Sequence, residues 1–137
     1  MVVKAEPVIA GIARGRVLRL DEPVSFWGGV DPASGALTDP RGARPGETIA
    51  GRVLMLPSTR GSSSSSAVML ELLARGRAPA AVVIGTIDAI LGLGIIVGRE
   101  MGYPTIPLLR LAPQAQAAFA DGAVVAIAAD GTIAIEA

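Results

Sequence analysis

Cysteine and histidine are both absent from this chain, and the two absences remove more chemistry than any motif adds. The chain therefore supplies neither thiolate nor imidazole ligands to zinc, copper or an iron–sulfur cluster. A Ser-His-Asp triad and phosphohistidine transfer are excluded with them, as is a disulfide scaffold. Lysine is nearly absent too, Lys4 being the single one among 12 basic residues. Any catalysis therefore rests on Ser, Thr, Asp, Glu, Arg, Tyr or Lys4. Aromatic residues make up only 3%, too few for base-stacking surfaces. The 12 acidic residues balance the basic ones without a basic stripe, which argues against a nucleic-acid partner.

A long uninterrupted apolar run is also missing. The nearest approach, residues 78–98, is broken by Pro79, Thr86, Asp88 and three glycines, Gly92, Gly94 and Gly98. A central Asp makes a membrane span costly, so a buried strand followed by a helix is the expectation. Residues 1–20 carry Lys4, Glu6, Arg14, Arg16 and Arg19 and do not read as a signal peptide. No membrane partner is expected, and the cytoplasm is the expected location. What remains is 137 residues, 51% of them apolar, enough for a single domain over residues 1–137 with a real core.

The chain is organised around GRVLMLPSTRGSSSSSAVMLELLARG, residues 51–76. Residues 53–56 form a short apolar run of buried-strand type. Pro57 and Gly61 punctuate a loop, and Ser62 to Ser66 are five consecutive serines. A helical pattern over residues 67–75 follows, stopped by Gly76. It is apolar on most sides, hence buried or covered by a partner. Strand, Gly/Ser loop and helix N-terminus together offer free amides and a positive dipole end to an anion. Arg60 stands beside them. Two readings stand: the serines simply cap and start the helix, or the helix N-terminus and Arg60 together stabilise a serine anion or a bound carboxylate or phosphate. GRGSSSSS lacks the Lys of a nucleotide P-loop.

Elsewhere, residues 8–20 alternate loosely around Gly11 and Gly15, as in one bent strand. Residues 80–84 read as a buried strand. Asp88 caps a helix running to about Met101 and ended by Gly102. Gly94 and Gly98 share a face of that helix and permit close packing. Residues 104–109 predict an irregular strand, and 113–120 a short helix. Residues 124–128 and 132–136 read as a hairpin about Asp130-Gly131. The sum is an α/β domain with a mixed sheet, not a regular β-α-β repeat.

In PVSFWGGV, residues 23–30, the Phe26-Trp27 pair packs the core at a tight turn, or Trp27 and Gly28 wall a cleft where a ligand approaches the backbone. Residues 31–47 form a long Pro/Gly-rich connection. Its Arg41 and Arg44 are plain surface charge, or anion-binding groups that require a carboxylate or phosphate nearby.

SFWGGVDPASG, GRVLMLPSTRGSSSSS, APAAVVI, DAILGLGIIVGREMG and IPLL, in this order over nearly the whole chain, resemble the small subunit of the aconitase X family. The resemblance implies an aconitase-like swivelling β/β/α domain paired with a large subunit. That large subunit carries the iron or iron–sulfur site, so this chain is expected to hold no cofactor. Family activities are dehydrations of small hydroxy acids: cis-3-hydroxy-L-proline in one case, mevalonate 5-phosphate in another. By resemblance Ser62 is the proton acceptor and Ser63 lines the substrate pocket, and the partner's metal assists hydroxide departure as a Lewis acid. Arg60, Gly61, Trp27 and Gly28 complete the expected substrate-binding set. The family often has His near a proline where this chain reads Arg41 to Pro45, and an acidic residue ahead of Asp88 where it has Gly85-Thr86-Ile87. An Arg-rich, Lys-poor composition is the one feature favouring the hydroxyproline activity. A non-catalytic module for an anionic metabolite is the competing class, while a phosphocarrier is disfavoured by the missing His.

Overall fold

The computed structural model describes residues 1–61 and 63–136. Twelve elements follow in order: β1 (Val2–Lys4), β2 (Glu6–Ile9), β3 (Ala13–Arg19), α1 (Phe26–Gly29), β4 (Val53–Leu56), α2 (Ser65–Arg75), β5 (Ala81–Ile84), α3 (Ala89–Glu100), β6 (Leu108–Arg110), α4 (Pro113–Gln116), β7 (Val124–Ile127) and β8 (Thr132–Ile135). The strands form one mixed sheet in the order β1-β8-β7-β3-β4-β5-β6-β2. β3 to β6 run parallel, and the remaining pairings are antiparallel.

The two edge strands, β1 and β2, are joined by Ala5 alone. Neighbouring Cα atoms lie about 3.8 Å apart, so the two edges must come together and the sheet curls round on itself. Ala5 is buried, and its amide donates to the Gly131 carbonyl at 2.9 Å.

This curvature explains why every residue of β4 and β5 is apolar and buried. Val53, Met55, Ala81 and Val83 point to the inside of the curl, where they meet Phe119, Val125 and Ile133. Leu54, Leu56, Val82 and Ile84 point outward beneath Val68, Leu72, Leu91 and Ile95 of the two long helices. Strands covered on both faces read as continuous apolar runs. Phe119, fully buried, contributes about 2–3 kcal/mol relative to an exposed ring.

Several expectations are met and several are corrected. Gly76 closes α2 in a left-handed conformation (φ 68°) that a β-carbon would disfavour. Asp88 caps α3 by accepting from the amides of Ile90 and Leu91. A β-carbon on Gly94 would stand 2.6 Å from the Ser66 carbonyl oxygen, and one on Gly98 2.9 Å from Leu73 Cδ1. The two glycines are what let α3 lie against α2. The hairpin is β7–β8.

Residues 8–20, read as one bent strand, are two. The chain breaks after Ile9, and β2 pairs with β6 at one edge while β3 sits in the middle of the sheet. The expected strand over 104–109 is shifted to Leu108–Arg110. Pro104 and Pro107 have no amide to donate, and Pro107 offers only its carbonyl, to Val82. The helix expected over 113–120 ends at Gln116, beyond which the amides of Ala118 and Phe119 bond three residues back. The α/β mixed sheet stands as expected, but its middle, β4-α2-β5-α3-β6, does repeat as two β-α-β crossovers.

Candidate functional site

Because β3 to β6 are parallel, their carboxyl ends share one edge of the sheet, marked by Arg19, Leu56, Ile84 and Arg110. Ligands of open α/β sheets bind beyond such ends, where the loops gather. The serine loop leaves β4 here and leads to the N-terminus of α2. The shorter loop of residues 85–88 leaves β5 here and leads to the N-terminus of α3.

Before it reaches the serines, the first loop is held on both flanks. On one side Val24 bridges Thr59 in parallel, donating to Ser58 and accepting from Arg60. On the other, the amides of Gly85 and Thr86 donate to the carbonyls of Leu56 and Pro57 at 3.1 and 3.0 Å. A β-carbon on Gly85 would fall 2.6 Å from the Pro57 oxygen, so this approach needs a glycine. Thr59 Oγ1 and Asp88 Oδ2, 2.7 Å apart, tie the two loops directly. Below them the buried Gln116 donates to the carbonyls of Leu56 and Leu111, both at 2.9 Å.

Of the expected site residues, Ser62 lies outside the described residues. Gly61 and Ser63, its sequence neighbours, are exposed, and space is open where a Gly61 side chain would stand. Arg60 is exposed and takes part in no ion pair among the described residues. Its pocket, shared with Ser25, Gly29 and Asp39, measures about 30 Å³, room for little more than a water.

The Phe26-Trp27 pair divides between the two readings. Phe26 is fully buried, whereas Trp27 is 62% exposed. Gly28 turns the chain at φ 84°, and Ser25 Oγ donates to the Trp27 carbonyl at 2.7 Å. Trp27 and Gly28 wall an open groove of about 360 Å³ with Thr38 and with Val68 of α2, a metabolite-sized space. This groove and the Arg60 pocket share no lining residue, although both draw on the 25–30 segment.

Arg41 is surface charge. Arg44 has carboxylate partners within its own chain: Asp121 at 2.6 Å and Glu47 at 3.0 Å. Its backbone is left-handed (φ 48°), which costs a non-glycine residue about 1 kcal/mol or more. The fork thus pins the long connection to the turn before β7. Burial pushes the Asp121 carboxyl up, but the Arg19 amide and the Arg44 guanidinium outweigh it and hold the group below its ordinary value. Asp121 in turn raises the Arg44 pKa.

Three contributors were not recognised in the sequence: Thr59 as a tether, Gln116 beneath the loops, and Asp39 beside Arg60. Each acts through a partner distant in the chain, so no local spacing marks it. Among the described residues no group of three Asp or Glu side chains could hold a metal ion, and no helix is long and apolar enough to cross a membrane.

Comparison with known proteins adds to this geometry. The family model described as the aconitase X swivel domain matches residues 2–135. A cis-3-hydroxy-L-proline dehydratase of Pseudomonas aeruginosa is 42% identical over 104 residues, which are 76% of this chain and 18% of that protein. A phosphomevalonate dehydratase small subunit of Pyrococcus furiosus is 36% identical over 106 residues, 77% of either chain. The crystal structure of Thermococcus kodakaraensis aconitase X in its holo form matches with a TM-score of 0.87 at 30% identity, covering 100% of this chain and 99% of that one. The chain therefore spans less than a fifth of the hydroxyproline relatives but about three quarters of the small subunits.

Proposed function

Because this chain belongs to the aconitase X swivel-domain family, we propose that it is the small subunit of a heteromeric hydro-lyase acting on a small hydroxy acid in the cytoplasm. In this reading residues 1–137 are one swivelling unit and Ser62 is the base. Ser62, as its alkoxide, takes the proton from the carbon α to the substrate carboxylate. The C–H electron pair becomes the new double bond, and the hydroxyl on the neighbouring carbon leaves with its bonding pair as hydroxide, which takes the proton held by Ser62 to become water and restores the alkoxide.

A serine hydroxyl is a poor base unless its anion is stabilised. The supporting observation is the placement of residues 57–60, which hydrogen bonds on both flanks hold at the carboxyl edge of the sheet. The same placement sets Arg60 beside the loop that enters the N-terminus of α2. A guanidinium and a helix N-terminus are the groups that favour an oxyanion and a substrate carboxylate. Ser63 and Gly61 line the reacting end, Arg60 holds the carboxylate, and Trp27 with Gly28 forms an outer wall.

The iron site of such enzymes does not fit this chain, which has no cysteine and, among its described residues, no metal-holding carboxylate group. We assign that site to the large subunit. The preferred substrate is cis-3-hydroxy-L-proline, supported by the 42% identity to the Pseudomonas aeruginosa enzyme. Mevalonate 5-phosphate is the second reading, favoured by the small-subunit relatives, which resemble this chain in length.

The test is reconstitution with the large aconitase X chain of the same organism and an assay of both acids. Dehydration of one of them is expected. Ser62→Ala should lower kcat about 1000-fold while leaving folding, assembly and KM unchanged. Turnover of that variant at the wild-type rate would remove Ser62 from the reaction.

A further inference from the structure

A surface helix of a globular protein carries an apolar stripe inward and charge outward, and one that is apolar all round is buried. α3 is apolar all round from Ala89 to Gly98, ahead of the exposed Arg99 and Glu100 at its end, yet only half of that stretch is covered. Leu91 and Ile95 are fully buried against the sheet, and Gly94 and Gly98 meet α2. The opposite side presents Ile90, Leu93, Ile96, Val97 and Met101, with Leu93 52% and Met101 54% exposed. No charged residue occurs between Ala89 and Gly98.

Val8 of β2 extends the patch, since it lines with Leu93 and Ile96 a groove of about 250 Å³. A second groove, about 200 Å³, lies between Leu93 and Val97 on one side and Ser66, in the first turn of α2, on the other. The patch therefore reaches the helix that follows the serine loop. Single exposed apolar residues need no explanation, but a contiguous stripe marks an interaction surface.

The relatives identify an occupant. The unit makes up 18% of the Pseudomonas aeruginosa protein, where the rest of the polypeptide is its permanent neighbour. It also occurs as a separate chain that this one matches over 77% of its length. A separate unit with the same fold must meet as a second chain what the fused form meets within its own.

We propose that the outer face of α3, together with Val8, is the surface on which the large aconitase X chain docks, through a complementary apolar surface. This rests on the heteromeric reading above. Because Ala89 to Gly98 carry no charge and only Asp88, Arg99 and Glu100 flank them, burial rather than ion pairing drives the contact, and affinity should change less than twofold between low and moderate salt.

The absence of cysteine provides a direct test. Leu93→Cys places a single thiol in the middle of the patch. Its maleimide labelling, read by mass on the small chain, is expected to slow at least tenfold when the purified large chain of the same organism is bound. Leu93→Glu and, independently, Val8→Glu should weaken that complex about 100-fold and 10-fold, with unchanged melting temperatures. Labelling of the Leu93→Cys thiol in the complex at the free rate overturns the docking face and leaves the heteromeric reading intact. Failure of the wild-type chains to associate removes both. Slowed labelling in the small chain alone, with self-association, assigns the face to a second copy and also overturns the proposal.

Discussion

The two loops that leave the carboxyl edge of the sheet toward long helices solve the same problem in opposite ways. At α3 the chain supplies its own anion: Asp88 sits at the N-cap in extended backbone and accepts from the amides of Ile90 and Leu91. The positive end of that helix is thereby neutralised from within. At α2 the approach is longer and contains no carboxylate. Ser64 and Ser65 stand at the start, the first turn has no acidic residue, and Arg60 adds positive charge ahead of it. One helix end carries a carboxylate cap, whereas the other has serines at its start and the cationic Arg60 ahead of it. A helix N-terminus preceded by serines and an arginine favours a negative ligand more than one already capped by an aspartate.

The largest effect on this comparison comes from separating the two loops. Gly85→Ala drives a β-carbon against the Pro57 carbonyl oxygen, 2.6 Å away, and the Pro113 ring, 3.0 Å away, the first backbone and the second a rigid ring. Overpacking of this kind should cost about 3 kcal/mol in denaturant unfolding. A loss below about 1 kcal/mol would show that the loops are not rigidly joined.

Asp88→Ala comes next, because it removes the cap and the Thr59 tether together, at about 1–2 kcal/mol. Thr59→Val keeps the cap and removes only the tether. It should lose about 1 kcal/mol or less, and in the reconstituted enzyme lower kcat more than it raises KM. Equal stability losses in the two variants would mean that Asp88 serves the loop and not the helix.

These elements also show where sequence was informative. Asp88, Gly76, Gly102 and the Asp130-Gly131 turn act within a few residues of themselves, and each was legible as cap, stop or hairpin. The apolar run of β4 named its own burial. What was not legible depends on distant partners. Nothing near Ala5 shows that β1 and β2 lie at opposite edges of the sheet, because closure of the sheet puts them there. Phe26 and Trp27 are similar in sequence, yet the turn at Gly28 buries one and exposes the other. Arg44 is surface charge or anion ligand until Asp121, far along the chain, is brought beside it. At the candidate site the serine loop and Arg60 were visible as a motif, while the flanking grip of Val24, Gly85 and Thr86 was tertiary and invisible.

The smallest expected effect gives the sharpest test, since it makes one helix end resemble the other. Ser64 precedes α2 as Asp88 precedes α3, so Ser64→Asp would place a carboxylate at the start of α2. The Ser64 backbone is already helical (φ −82°, ψ −7°), which is not the extended shape a capping side chain prefers. The gain should therefore come from charge against dipole alone, about 0.5 kcal/mol of added stability by thermal unfolding. The same negative charge should repel an anionic substrate and raise KM severalfold in the reconstituted enzyme. A variant that gains stability yet binds substrate as before would show that the positive end of α2 is structural, and that the substrate carboxylate is held elsewhere.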